Sequence, residues 1–196
     1  MEVFLNFIEK LKVKKFDVKK FLTLFLVSIM AALLAGIYGI IHDQISYTIS
    51  NEYYTKFKFI QFNLANENNI DKIKFPRIFV SVVGFLATWW FGLLLGFILG
   101  LFNLIQSSWK KSFKVSFNAI LIAIIVAFVT GIIGLIYGFL FLSNEPQANF
   151  ESWFIPKNLE NFKNFIAVGS MHNFSYFGGV LGLIAGIFYS YKMRKQ

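Results

Sequence analysis

Both histidines of the chain lie in short polar runs, His42-Asp43-Gln44 and Met171-His172-Asn173. Imidazole and carboxylate groups bind divalent transition metals such as Zn, Cu, Fe or Ni, and imidazole can also transfer protons near neutral pH. These residue types allow a metal or proton-transfer site formed by His42, Asp43 and His172. The alternative is that the two histidines make ordinary hydrogen bonds at helix ends near lipid head groups.

Four apolar segments must position these side chains. Each is long enough to cross the hydrocarbon layer, which takes about 20 helical residues. The segments are 21–41, 78–105, 115–142 and, approximately, 165–191. Counting about 20 residues from the basic end of each segment places His42 and His172 at one depth, at the opposite interface. The first and last spans can therefore bring the two imidazoles together.

The composition is that of a membrane protein, with 57% hydrophobic residues and only 15% charged residues. The net charge of +9 would raise nucleic acid as a partner, but the excess of Lys and Arg lies in 1–20, 109–114 and 192–196, beside the ends of the spans. The positive-inside rule explains this distribution and places both termini in the cytoplasm. We expect a multi-pass inner-membrane protein whose partner is the lipid bilayer, not nucleic acid.

The chain divides at the turns between spans into three parts. Residues 1–20 alternate lysines with apolar residues at helical spacing and predict an amphipathic cytoplasmic helix in the interface. Residues 21–108 form a first transmembrane hairpin with an outer loop at about 42–77. Residues 109–196 form a second hairpin with an outer loop at about 143–164 and a basic cytoplasmic tail.

The first outer loop alternates polar and apolar residues between Thr55 and Phe62 and again between Lys72 and Phe75, around an Asn-rich turn. Such alternation is typical of strands, and Pro76 would end the second strand. The sequence therefore predicts an all-α membrane protein with a small extracytoplasmic β-hairpin in this loop.

The two halves resemble each other in their small residues. Spans two and four share the pattern of one Phe and three glycines, and spans one and three share small residues followed by Tyr-Gly. This predicts two tandem parallel hairpins, with glycines that let the helices approach closely. The matched glycines are Gly92, Gly96, Gly100, Gly178, Gly182 and Gly186. Packing within the chain is the main interpretation, and a homo-oligomer contact or a substrate path remains open.

Eight polar or aromatic residues, including the three named above, are candidates for a ligand site at the outer interface. They are His42, Asp43, Gln44, Glu52, Trp89, Tyr137, His172 and Asn173. Trp89 and Tyr137 are also typical of an interfacial aromatic belt. With no cysteine, thiolate ligands and Cys nucleophiles are excluded, and the sequence has no P-loop, GxSxG or HExxH motif. No ionisable residue lies near the midplane, which argues against a proton-coupled carrier.

The segment from His42 to Lys58, together with the run from Met171 to Tyr176, resembles a pattern in uncharacterised bacterial multi-pass membrane proteins. The resemblance implies that these polar residues are the distinctive part and brings no known activity. We expect a non-enzymatic membrane protein whose outer polar cluster binds a small ligand, an ion or a partner. The alternatives are a membrane-embedded enzyme that uses a divalent metal at His42, Asp43 and His172, and a subunit of a channel or transport complex.

Overall fold

The fold is a bundle of four long helices with a small cap at one end. A computed structural model describes residues 17–66, 73–156 and 158–194. The long helices are α1 (Val18–Ile49), α3 (Pro76–Phe102), α4 (Trp109–Leu140) and α5 (Phe162–Met193). A short helical segment, α2 (51–61), follows α1 after a break at Ser50. We call the end that carries α2 the cap end and the end that carries the turn at 106–108 the turn end.

All four long helices are long and apolar enough to cross a membrane, which agrees with the four predicted spans. At 32 residues, α1 extends about 48 Å at 1.5 Å per residue, well beyond a hydrocarbon layer of roughly 30 Å.

Local sequence signals determine where the helices begin. Asp17 accepts the backbone N–H groups of Lys19 and Lys20 at the start of α1, and Pro76 occupies the first turn of α3, where no N–H is needed.

The helices pack in two pairs, α1 with α3 and α4 with α5, and each pair packs less extensively against the other. Small residues make the close approach within a pair. A Cβ added to Gly182 of α5 would stand 2.6 Å from the Cα of Ala123 in α4. A Cβ on Gly96 of α3 would collide with the Cβ of Ala31 in α1. These glycines therefore let the backbones of paired helices meet without lipid between them.

At the turn end, buried polar side chains join α5 to the turn that follows α3. Asn103 donates to the hydroxyl of Ser190 at 3.1 Å, and Gln106 donates to the backbone carbonyl of Ser190 at 2.9 Å. Hydrogen bonds to buried partners offset the cost of removing these amides from water. The contacts tie the first helix pair to the last helix of the second pair.

The predicted β-hairpin is wrong, because the described residues contain no strand. Residues 51–61 are helical, with a π-helical turn at Tyr54–Lys58. The π turn brings residues five apart onto one face, so Tyr54 and Phe59 are both fully buried. The opposite side packs too: Phe57 contacts Phe154 and Phe165. In a helix that is buried on both sides, the apolar residues no longer recur only at the helical period of 3.6. In this segment they alternate with polar residues, as they would in a strand.

Asn63, in the left-handed conformation at φ 55°, ends α2, and the N–H of Leu64 returns to the carbonyl of Phe59 at 2.9 Å. The Asn-rich turn predicted at the hairpin tip, 66–69, lies outside the described residues from position 67 onward. Most of the predicted interfacial helix, 1–16, and the last two residues of the basic tail also lie outside them. The duplication of the two halves stays a prediction.

Candidate metal and ligand site

One face of α1 carries buried polar residues near the cap end. His42, Asp43 and Ser46 are all less than one-tenth exposed. The spacing of three and four residues places them on the same side of the helix, facing the other helices. Burial of a carboxylate is costly unless hydrogen bonds or an opposite charge stabilise it. The surroundings of Asp43 therefore need a specific explanation.

The last helix supplies the facing side chains. His172 and Ser175 of α5, three residues apart, point at the polar face of α1. The Nδ1 atom of His42 lies 3.2 Å from Oδ1 of Asp43, and Nδ1 of His172 lies 4.0 Å from the same oxygen. One nitrogen or oxygen atom from each of the three residues lies within 4.8 Å of the others. We call His42, Asp43 and His172 the His-Asp-His cluster.

A chain of hydrogen bonds continues from the cluster toward the bundle centre. The Nε2 atom of His42 lies 3.1 Å from the hydroxyl of Ser175, and that hydroxyl lies 3.1 Å from the hydroxyl of Tyr38. Ser175 also lies 3.3 Å from the backbone carbonyl of Ala127 in α4. The imidazole of His42 is thus oriented on both ring nitrogens, by Asp43 on one side and Ser175 on the other.

By distance and angle, two buried polar atoms in the cluster have no hydrogen-bond partner among the described residues, Oδ2 of Asp43 and Nε2 of His172, although the hydroxyl of Tyr54 interacts with the Asp43 carboxylate. Buried polar groups in folded proteins are nearly always paired, and an unpaired one costs about 1–3 kcal/mol. Both atoms are of types that coordinate transition metals. A metal ion that is bound through these two atoms would give each of them a partner.

Aromatic residues of α2 cover the cluster at the cap end. The ring of Tyr53 stacks on His172, with centroids 5.0 Å apart and planes inclined by 12°. The hydroxyl of Tyr54 lies 2.5 Å from that of Ser46. Burial raises the pKa of Tyr54 well above its usual value, and the negative charge of Asp43 adds to the shift. The phenol therefore stays neutral and keeps its proton for hydrogen bonding.

Glu52 does not join the cluster, although the sequence places it among the candidates. Its carboxylate accepts the backbone N–H groups of Glu160 at 2.9 Å and Asn161 at 2.8 Å, and it pairs with Lys56. Burial on its own raises the pKa of Glu52, but these hydrogen bonds and the ammonium together lower the pKa below its usual value. Glu52 therefore fastens α2 to the segment that begins α5.

The remaining predicted ligand residues lie apart from the cluster. Gln44 donates to Ser81 and to the backbone carbonyl of Arg77, on the side of α1 that faces α3. Trp89 and Tyr137 are 39% and 40% exposed on the apolar outside of the bundle. Asn173 is exposed and lines a separate pocket in the cap together with Tyr53. The structure thus brings together only His42, Asp43 and His172.

The six predicted glycines are all buried on helix faces inside the bundle. Gly92, Gly96 and Gly100 of α3 lie against α1, and their counterparts Gly178, Gly182 and Gly186 of α5 lie against α4. The close contacts are therefore within each helix pair.

Sequence reasoning missed Tyr38, Ser46, Tyr53, Tyr54 and Ser175 as parts of the site. Helical spacing could have found three of them. Tyr38 and Ser46 are four residues before and after His42, and Ser175 is three residues after His172. The assumption of a β-hairpin hid the two tyrosines of α2.

A cavity of about 70 Å³ adjoins the cluster between the two helix pairs. All four long helices contribute to its walls, which are mostly apolar. Its polar residues are Tyr38, His42, Asp43, Thr88, His172, Ser175 and Tyr176. A cavity of this size has room for several water molecules. The donor set next to it, two imidazoles and a carboxylate, is that of catalytic zinc sites with an open fourth position.

Comparisons of the chain with models of known protein families, with curated proteins and with solved structures found no match. The geometry of this site is therefore the basis for its function, and the resemblance to uncharacterised bacterial membrane proteins stays a prediction.

Proposed function

We propose that this chain is a multi-pass protein of the cell (inner) membrane that binds a divalent transition metal ion through His42, Asp43 and His172. One observation carries the proposal. His172 lies 130 positions after His42 and 129 after Asp43 in the sequence, yet the three metal-binding groups meet inside the bundle. Uncompensated polar groups are costly within a membrane.

The unpaired atoms support a metal over a purely hydrogen-bonded cluster. Hydrogen bonding within the cluster leaves Oδ2 of Asp43 and Nε2 of His172 without partners. A divalent cation would neutralise the buried carboxylate and coordinate both imidazoles at about 2.0–2.2 Å. Coordination at that distance requires the ligand atoms, now within 4.8 Å of one another, to approach by about 1 Å. The side chains on α1 and α5 would have to rotate to make that approach.

The orientation proposed for the bundle follows from charge. Basic residues at the turn end, such as Lys19, Lys110 and Lys192, favour the cytoplasmic side. The cap end, and with it the metal site, then faces outward. Metal would enter from the extracytoplasmic side through the cap, where Tyr53 separates the cap pocket from His172.

The experiment is metal analysis of the purified full chain in detergent, after chelation and reloading with Zn²⁺. We expect roughly one tightly held ion per chain, and its loss in His42→Ala and His172→Ala. Asn173→Ala is the matched control, since Asn173 adjoins His172 in the sequence and points away from the cluster. Asp43→Asn keeps the shape of the side chain and should weaken binding.

Wild-type protein that is monodisperse and retains no metal after reloading would overturn the proposal, whatever the variants do. Equal retention by wild type and both His variants would also overturn it. Metal lost in the two His variants and kept by Asn173→Ala supports the assignment.

A further inference from the structure

The cavity beside the His-Asp-His cluster has a polar end and an apolar end. The polar end is formed by the cluster together with Tyr38 and Ser175. Toward the middle of the bundle the walls are small apolar residues, including Ala31, Ala123 and Gly92. Small residues at these positions leave the seam between the two helix pairs unfilled. A ligand that fits both ends must itself be polar at one end and apolar along the rest.

We place the mouth of the cavity between α3 and α5, at its exposed lining residue. Among the residues that line it, Tyr176 is the exposed one, at 38%. Its hydroxyl donates to the backbone carbonyl of Ala87 at 3.2 Å, across the gap between the two helices. The surface around this gap is apolar, with Trp90 and Phe177 half exposed. The mouth therefore faces the lipid, and a ligand dissolved in the bilayer can enter by displacing one hydrogen bond.

The charge of the loaded site selects the head group. A divalent cation beside the single carboxylate of Asp43 and two neutral imidazoles leaves one net positive charge and an open coordination position. An anionic oxygen ligand, such as a carboxylate, meets both requirements. The hydroxyls of Tyr38 and Ser175 line the same end of the cavity.

We infer that the cavity binds a single-chain lipid with a carboxylate head group, of the fatty-acid class, with the carboxylate at the His-Asp-His cluster. This inference names the ligand of the site proposed above and rests on that metal site. The first carbons of the chain occupy the cavity of about 70 Å³. The rest leaves between α3 and α5, past Tyr176, into the bilayer.

The test uses a photoreactive palmitate analogue with a diazirine near its head group. The full-length protein is loaded with Zn²⁺, reconstituted in nanodiscs, irradiated with the probe and mapped by mass spectrometry. We expect labels on buried cavity residues close to the cluster, such as Ala127, which an excess of unlabelled palmitate removes. Labels on lipid-facing Phe188 report simple contact with the bilayer and should not respond to the competitor. Hexadecanol, with the same chain length and no charge, should compete about tenfold less well.

Two variants separate this inference from the metal site. Ala87→Leu fills the cavity wall away from the cluster, so it should keep Zn²⁺ and lose cavity labelling by about tenfold. Leu94→Phe, on the lipid-facing side of the same helix, is the control and should keep both. Zn²⁺ bound by wild type without competitor-sensitive cavity labelling overturns the inference and leaves the metal site standing. Unchanged cavity labelling in Ala87→Leu overturns it too. Wild type without Zn²⁺ is instead the failure of the metal site, and the inference falls with it.

Discussion

Asp43 carries a negative charge into the packed part of the bundle, and both histidines of the chain lie against it. Groups that share one buried partner do not contribute independently to stability. Removal of either imidazole leaves the carboxylate incompletely compensated, at a cost of about 1–3 kcal/mol in the free energy of unfolding. Once one imidazole has been removed, removal of the other therefore lowers the free energy of unfolding by little more.

We therefore expect His42→Ala and His172→Ala to lower thermal stability by similar amounts, and the double variant to be only slightly worse than either. The measurement is a double-mutant cycle in detergent, with and without added Zn²⁺. Zn²⁺ should raise the melting temperature of wild type only, since binding to the native state stabilises it by mass action. Simple addition of the two losses with no response to Zn²⁺ would indicate two independent histidines.

Glu52 gives the cap a stability that depends on pH. Its pKa is lower in the folded protein than its usual value of 4.5, because backbone N–H groups and Lys56 favour the ionised form more than burial disfavours it. A lowered folded-state pKa means that the stabilisation is complete above about pH 4.5 and is lost as the pH falls through the lower folded-state value. Glu52→Gln should cost about 1–3 kcal/mol at neutral pH.

The gap in melting temperature between wild type and Glu52→Gln should stay constant from pH 7 to about pH 5 and narrow below pH 4.5. Glu151→Gln, at an exposed position in the same cap, provides the control and should show little difference at any pH. A gap that persists unchanged down to pH 3 would show that Glu52 acts through its shape and not its charge.

The glycines of α5 provide a graded test of helix packing against α4. A Cβ on Gly182 would stand 2.6 Å from the Cα of Ala123, whereas a Cβ on Gly186 would stand no closer than 3.1 Å, to the carbonyl oxygen of Ala119. Backbone atoms cannot yield as a flexible side chain does, so Gly182→Ala must separate the helices. Gly186→Ala needs only a small adjustment, which the better helix propensity of Ala offsets.

We expect Gly182→Ala to lower the free energy of unfolding by about 1–3 kcal/mol and Gly186→Ala to leave it nearly unchanged. Thermal unfolding in detergent, followed by circular dichroism, measures both. Gly96→Leu in α3 should lower the yield of folded protein for the same reason, because the added side chain collides with Ala31. Equal stability of the two alanine variants would mean that this face of α5 tolerates separation from α4.

The four helices could be predicted because about 20 consecutive apolar residues have one low-energy structure in a bilayer. The shared depth of His42 and His172 followed from the constant rise of a helix. Which faces meet was not predictable, since it depends on packing between helices distant in sequence. The prediction of a β-hairpin in the cap was wrong for a related reason. Phe57 and Phe59 pack on different neighbours, so the alternation of apolar and polar residues reflects tertiary contacts and not a strand.

The orientation of the helix bundle in the membrane can be tested directly. The distribution of Lys and Arg predicts that both termini and the turn end are cytoplasmic. In a bacterial host, a fluorescent reporter that matures only in the cytoplasm should be active when fused after Gln196. Alkaline phosphatase, which needs the periplasm, should be active when inserted after Gln147 in the cap. The reverse pattern would invert the bundle in the membrane and place the proposed metal site on the cytoplasmic side.

The division of the site between the first and last helices also sets an order of events during synthesis. His42 and Asp43 belong to α1, while His172 and Ser175 arrive only with α5, 129 residues after Asp43. At about 5–20 residues per second, the half-built site waits on the order of ten seconds for its other half. During that time Asp43 has His42 beside it but lacks His172. A nascent chain truncated before α5 should therefore be less stable in the membrane than the full chain, because the carboxylate of Asp43 is then incompletely compensated.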